Sequence, residues 1–122
     1  MLYAAIVGDY APSYQRDIYA VISRFCATVS VAEYGITANS DSPQIILSSF
    51  TGDCVLDCEK TIVIFSGKSH CHVQVNKNAV VISEFDNTAA AAFAQGKDLF
   101  LLDCGLSGKA SVTSVSYTHL LP

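Results

Sequence analysis

The chain has 122 residues, 51% of them apolar and 15% charged, with a formal charge of −4. One domain of this size buries enough apolar surface to fold without disulfide or metal support, and the composition excludes intrinsic disorder. The basic residues Arg16, Arg24, Lys60, Lys68, Lys77, Lys97 and Lys109 are scattered, which excludes the clustered basic face that a nucleic-acid partner needs.

In chain order, residues 2–7 form a short apolar run closed by Gly8 and Asp9, the pattern of a buried strand and a turn. Residues 13–28 then predict a helix with Ser13 as N-cap after Pro12. Its core face is expected to hold Tyr14, Ile18, Val21, Ile22 and Phe25, with Gln15, Arg16, Asp17, Ser23 and Arg24 on the polar side. On that reading Phe25→Ala costs about 3–5 kcal/mol. Residues 29–34 predict a strand stopped by Gly35, so the first three elements make a strand–helix–strand unit with a parallel pair.

Residues 36–42 are expected as a loop, 43–50 as a third strand and 61–65 as a strong one. Residues 54–58 and 71–75 give short strands around a central hairpin. Residues 79–85 predict a buried strand. Asp86, Asn87 and Thr88 cap an alanine-rich helix that ends near Gly96. Residues 99–102 form the next strand, completing a second strand–helix–strand unit, and 110–115 an edge strand. The fold class is therefore α/β: a three-layer domain with a mainly parallel sheet, two βαβ units and a central hairpin, spanning residues 1–115.

No apolar run approaches the roughly 20 residues of a membrane-spanning helix. The opening apolar run has no basic flank, so a secretory signal is not expected. The five cysteines are an odd number, which argues for reduced thiols and a cytoplasmic chain.

Several motifs carry potential chemistry. Residues 66–69 (SGKS) contain the end of a phosphate-binding loop, but Ile62 stands where the loop needs a further glycine, so a hairpin turn is expected. Cys54, Cys58, His70 and His72, with Cys71, are soft ligands close in sequence. They lack the two close pairs of a zinc site, and strand alternation separates Cys71 from the histidines, so no metal and no cofactor is expected. Cys104 lacks the glycines of a nucleophile elbow, since Leu102 and Leu106 hold those positions.

The strongest constellation is positional. Parallel α/β sheets bind ligands beyond the carboxyl ends of their strands. If both units share one sheet, Asp9, Asp86, Asn87, Asp103 and Gly105 gather along that edge, where two helix N-termini also point. The competing expectation is that Asp, Asn and Gly stand there as ordinary cap and turn residues.

Residues 80–87 (VVISEFDN), the alanine helix, residues 99–106 (LFLLDCGL) and residues 110–113 (ASVT) carry a resemblance. The segment 79–116 resembles the later part of the Mur ligase central domain, where a strand ends in an Asn/Asp-rich turn, a helix follows, and the next strand ends in Gly. Mur ligases also need a Gly-Lys-Thr phosphate loop and a metal-binding Glu and His, none of which stands here in a matching context. The resemblance thus implies a reduced, non-ligating relative. The stretch 32–35 (AEYG), with Cys104, Gly105, Ser107, Lys109 and Thr113, resembles a group of short, gut-type Firmicutes proteins, which implies no activity. The opening Ile6 to Tyr10 is similar to the start of class I glutamine amidotransferase domains, whose nucleophile motif this chain lacks.

Two functions fit these observations. One is a non-catalytic binding or regulatory module whose partner is a protein or a small-molecule ligand, with no nucleic acid and no membrane involved. The other is a small enzyme or ligand-binding domain using Asp9, Asp86, Asn87 and Asp103. Residues 116–122 resemble the foreign tails of proteins translated from metagenomic reads, and His119 is left out of the site for that reason. Removing residues 117–122 is expected to shift the denaturant midpoint by no more than about 0.5 kcal/mol of stability, whereas a loss of several kcal/mol would show that the tail docks.

Overall fold

The computed structural model describes residues 1–33, 35–58, 60–67, 72–75, 78–84, 87–105 and 112–113. In chain order its elements are β1 (Leu2–Gly8), α1 (Ala11–Ile22), β2 (Thr28–Ala32), β3 (Gly35–Ala38), β4 (Ile45–Phe50) and β5 (Cys54–Val55). They continue with β6 (Thr61–Ser66), β7 (Val73–Gln74), β8 (Val80–Glu84), α2 (Thr88–Lys97), β9 (Phe100–Gly105) and β10 (Val112–Thr113). Eight strands form one sheet in the order β10-β9-β8-β6-β1-β4-β2-β3, and β5 and β7 form a separate parallel pair. Every neighbouring pair of the large sheet is parallel except β2 and β3.

β1 lies at the centre, between β4 and β6. Ala4 to Val7 are all buried, because both faces of this strand are covered, and that is why the run is apolar without alternation. On one face, Ala5, Val7, Val63, Phe65 and Val81 pack with Ala90 and Ala94 of α2 and with Leu56 and Val73 from the β5–β7 region. Phe65 and Phe93 meet there with ring centroids 5.5 Å apart. The other face holds Ala4, Ile6 and Leu47, and α1 lies over its β1–β4–β2 part. Beyond α1 on that face, Ile62, Ile64, Val80, Ile82 and Leu102 are only half-buried, and Phe100 is 66% exposed.

Several expectations are corrected. The hairpin is not central: β2 and β3 form it at the edge of the sheet, and β3 occupies part of the segment expected as a loop. β7 pairs in parallel with β5 and not with β6, so the strands on either side of the turn expected at 66–69 do not form a hairpin. β1 and β2 run the same way but are not neighbours, because β4 lies between them. β9 extends through Asp103 to Gly105. In α2, Gly96 lies inside the helix and Asp98 takes the left-handed cap (φ 55°), a conformation that Asp tolerates better than most residues.

The first helix departs most. It starts at Ala11 with Tyr10 as N-cap, and no side chain caps it. It ends at Ile22, so Phe25 lies past the helical period, in a turn where its N–H donates to the Ile22 carbonyl, and it is 80% exposed. Val21 is exposed as well. The buried residues are Ala11 and Gln15, one turn apart on the same face. Gln15 is 3% exposed because its Nε2 donates to Ser30 Oγ (2.9 Å), the Val31 carbonyl (2.9 Å) and the Leu47 carbonyl (3.3 Å). A buried amide is tolerated when hydrogen bonds replace its water.

Chemical denaturation therefore separates the two positions. Gln15→Ala is expected to lose about 1.5–3 kcal/mol, since buried acceptors on β2 and β4 lose their donor. Phe25→Ala is expected to stay within about 0.5 kcal/mol, the usual range for exposed sites. The reverse ranking would contradict this packing of α1.

Candidate functional site

The carboxyl edge of the sheet is organised by the exits of β1 and β6. After β1 the chain turns onto one face and enters α1. After β6 it passes to the opposite face, where Val73 packs beside α2. Neighbouring parallel strands whose connections leave in opposite directions open a crevice at their carboxyl ends.

Here the crevice is drawn tight by two glycines. Gly8 has φ +112°, and a Cβ there would stand 2.0 Å from the Ser66 carbonyl oxygen. Gly67 has φ +75°, and a Cβ there would meet the Tyr10 ring at 3.2 Å and Asp9 Oδ2 at 3.4 Å. Ser66 joins the two exits: its hydroxyl donates to the Val7 carbonyl (2.9 Å) and accepts from the Tyr10 N–H (3.2 Å). Asn87 is buried and does two jobs. Its Oδ1 accepts from the Ala90 N–H (3.1 Å), capping α2, and its Nδ2 donates to the Gly67 carbonyl (2.7 Å). The Tyr14 hydroxyl donates to Glu84 Oε1 (2.9 Å), tying α1 to the end of β8.

The structure thus brings Asp9 and Asn87 together around Gly67. Asp103 lies within β9, half-buried and in register with Ser83. Gly105 closes β9 and pairs with Thr113. β6 and β8 separate β1 from β9, so Asp103 and Gly105 stand roughly 14 Å across the sheet from Asp9, three strand spacings away. The exits of β1, β8 and β9 lie along one edge of one parallel sheet, with Asp103 and Gly105 well removed along it from Asp9. Asp86 lies outside the described residues.

Of the soft ligands, Cys54 on β5 packs against the buried cluster, and its N–H donates to the His72 carbonyl (3.0 Å). Cys58 is half-buried, and its carbonyl accepts from Thr61 Oγ1 (3.1 Å). His72 is exposed, and its N–H donates to Asp53 Oδ1 (3.0 Å). His70 lies outside the described residues. Among the described residues, no three His, Cys, Asp or Glu side chains are grouped to hold a metal ion. No helix among them is long and apolar enough to cross a membrane.

Sequence reasoning missed Tyr10, Ser66 and Gly67. The hairpin turn expected at 66–69 lies partly outside the described residues, and the strands that would flank it, β6 and β7, do not pair with each other. The signal for Ser66 and Gly67 was a Ser-Gly pair ending an apolar strand. It also missed the two cavities that flank Pro12. One, of about 400 Å³, opens beyond β2 and β4 and is lined by residues that include Glu33, Ser49, Phe50, Thr51, Gly52 and Asp53. The other, of about 390 Å³, lies between α1 and the β2–β3 hairpin. Neither is lined by Asp9, Asn87 or Asp103.

Comparison with known protein families, with curated proteins and with solved structures found no match.

The close approach at the β1 exit is testable. Gly8→Ala is expected to lose at least about 3 kcal/mol, from left-handed strain together with overlap on backbone. Gly52→Ala, where a Cβ meets nothing within 4 Å, is the control and is expected to be neutral. Equal urea midpoints for the two variants would contradict the geometry.

Proposed function

We propose that the chain is a non-catalytic, cytoplasmic ligand-binding module that takes a small polar molecule at the carboxyl end of its sheet. The observation that carries this is the cavity of about 400 Å³ beyond β2 and β4, against the first turn of α1. Parallel α/β sheets bind ligands at that edge, and the volume falls in the range of small-molecule sites. The carboxylates of Glu33 and Asp53 and the hydroxyls of Ser49 and Thr51 accept hydrogen bonds, while Phe50 and Pro12 offer apolar contact. A ligand rich in hydroxyl or amino donors, with a flat or apolar portion, matches that lining.

The non-catalytic reading is supported by what the edge residues already do. Asn87 caps α2 and anchors Gly67, and Asp103 lies within a strand. Catalysis by Asp9, Asn87 and Asp103 needs them around one pocket. The scattered basic residues support the absence of a nucleic-acid partner. A second reading, a reduced and non-ligating relative of the Mur ligases, is supported by the order β8, Asn87, α2 and β9 closing in Gly105.

Saturation-transfer NMR with mixtures of nucleosides, monosaccharides and small amines tests the module. At least one class is expected to give transfer that is lost in Gly52→Trp, which fills the cavity mouth without strain, and kept in Gly96→Trp, on the exposed surface of α2. No transfer from any class, or equal transfer to Gly52→Trp, would count against the proposal.

A further inference from the structure

The cavity between α1 and the β2–β3 hairpin is built differently from the one beyond β2 and β4, with which it shares only Pro12 and Ala32. Its remaining lining is Gln15, Arg16, Tyr19, Ser30, Gly35, Ile36 and Thr37. Its volume of about 390 Å³ equals that of about a dozen waters, so a single trapped water does not fill it.

Gln15 is the informative residue. Two of its three partners are main-chain carbonyls, which only accept, so the amide pole facing the sheet has to be nitrogen. That fixes Oε1 as the other pole, and no donor among the described residues reaches it. An unmet acceptor on a side chain 97% withdrawn from solvent is costly unless something in the cavity answers it. Ser30 is in the same position with opposite sign. Its Oγ accepts from Gln15, and its own proton has no acceptor among the described residues. Arg16, one residue along α1, makes no ion pair among the described residues. Ile36 contributes an apolar side chain from the hairpin.

We infer that this cavity is a second ligand site, which takes a small 2-hydroxy carboxylate with an apolar tail. The carboxylate lies against the Arg16 guanidinium, which suits a planar two-oxygen partner. The hydroxyl donates to Gln15 Oε1 and accepts from Ser30, satisfying both unmet groups with one substituent. The tail rests on Ile36 and Pro12. An amino acid fits less well, because no Asp or Glu lines the cavity to balance an ammonium group.

The test uses the full chain and 2-hydroxy-4-methylpentanoate, followed by amide chemical shifts. Saturable shifts are expected at residues 15–19 and 30–37. Arg16→Met, an exposed substitution that leaves the fold intact, is expected to weaken binding at least tenfold, and 4-methylpentanoate, which lacks the hydroxyl, to bind roughly tenfold more weakly. Gly52→Trp is expected to bind the hydroxy acid normally, which keeps this site's outcome separate from that of the cavity beyond β2 and β4. Absence of saturable shifts, indifference to Arg16→Met, or equal affinity for 4-methylpentanoate would each overturn the inference.

Discussion

Where β1 and β6 leave the sheet, Gly8 and the Ser66 carbonyl come so close that no side chain fits between them. The positive φ of Gly8 bends the chain away at once, and the Ser66 hydroxyl holds both exits by bonding to Val7 and to Tyr10. With no slack at this corner, α1 starts three residues later and settles across β1, β4 and β2. Beyond the Tyr14–Glu84 hydrogen bond at the end of β8 it does not cover β8 and β9, whose apolar residues on that face stay partly open to solvent. The placement of α1 then decides what the rest of that face can do.

A helix so placed sets Ala11 and Gln15 on the sheet. A leucine at Gln15 would supply more apolar burial, but it would leave the β2 and β4 acceptors without a donor. The amide instead ties α1 to two strands through one nitrogen. Because α1 is narrow at its first turn, with Ala11 and Pro12, it leaves space on both sides. One space opens toward the ends of β2 and β4, lined with carboxylates and hydroxyls, and the other opens under the edge hairpin beside Arg16. The same local sequence thus sets the helix position and creates both cavities.

Much of the fold was legible in local pattern. The apolar runs of β1, β6, β8 and β9 marked strands of one parallel sheet, although β9 is half-buried to exposed where a buried strand was expected, and Asn87 before an alanine run marked the start of α2. Local pattern failed where partners are distant in sequence. The insertion of β4 between β1 and β2 depends on pairings that no short window contains. β3 escaped notice because an edge strand with exposed side chains shows no hydrophobic alternation. Gln15 was assigned to the polar side by type, since only Ser30, Val31 and Leu47 make its burial tolerable. Phe25 was assigned inward by extending a helical period beyond the point where the helix ends.

The candidate site divided along the same line. Asp9 and Asn87 were found from strand-exit logic, and both lie at Gly67. Asp103 lies inside β9, two residues before its end, because the strand runs on past the apolar residues that marked it. The cavities beside Pro12 are made by the crossing of α1 over strands remote in sequence, so no motif announces them. Native mass spectrometry of the full chain after exposure to a metabolite extract tests most directly whether these spaces serve to bind. The expected result is a non-covalent small-molecule adduct that disappears on denaturation. The bare protein mass alone, under conditions that preserve the fold, would contradict the account.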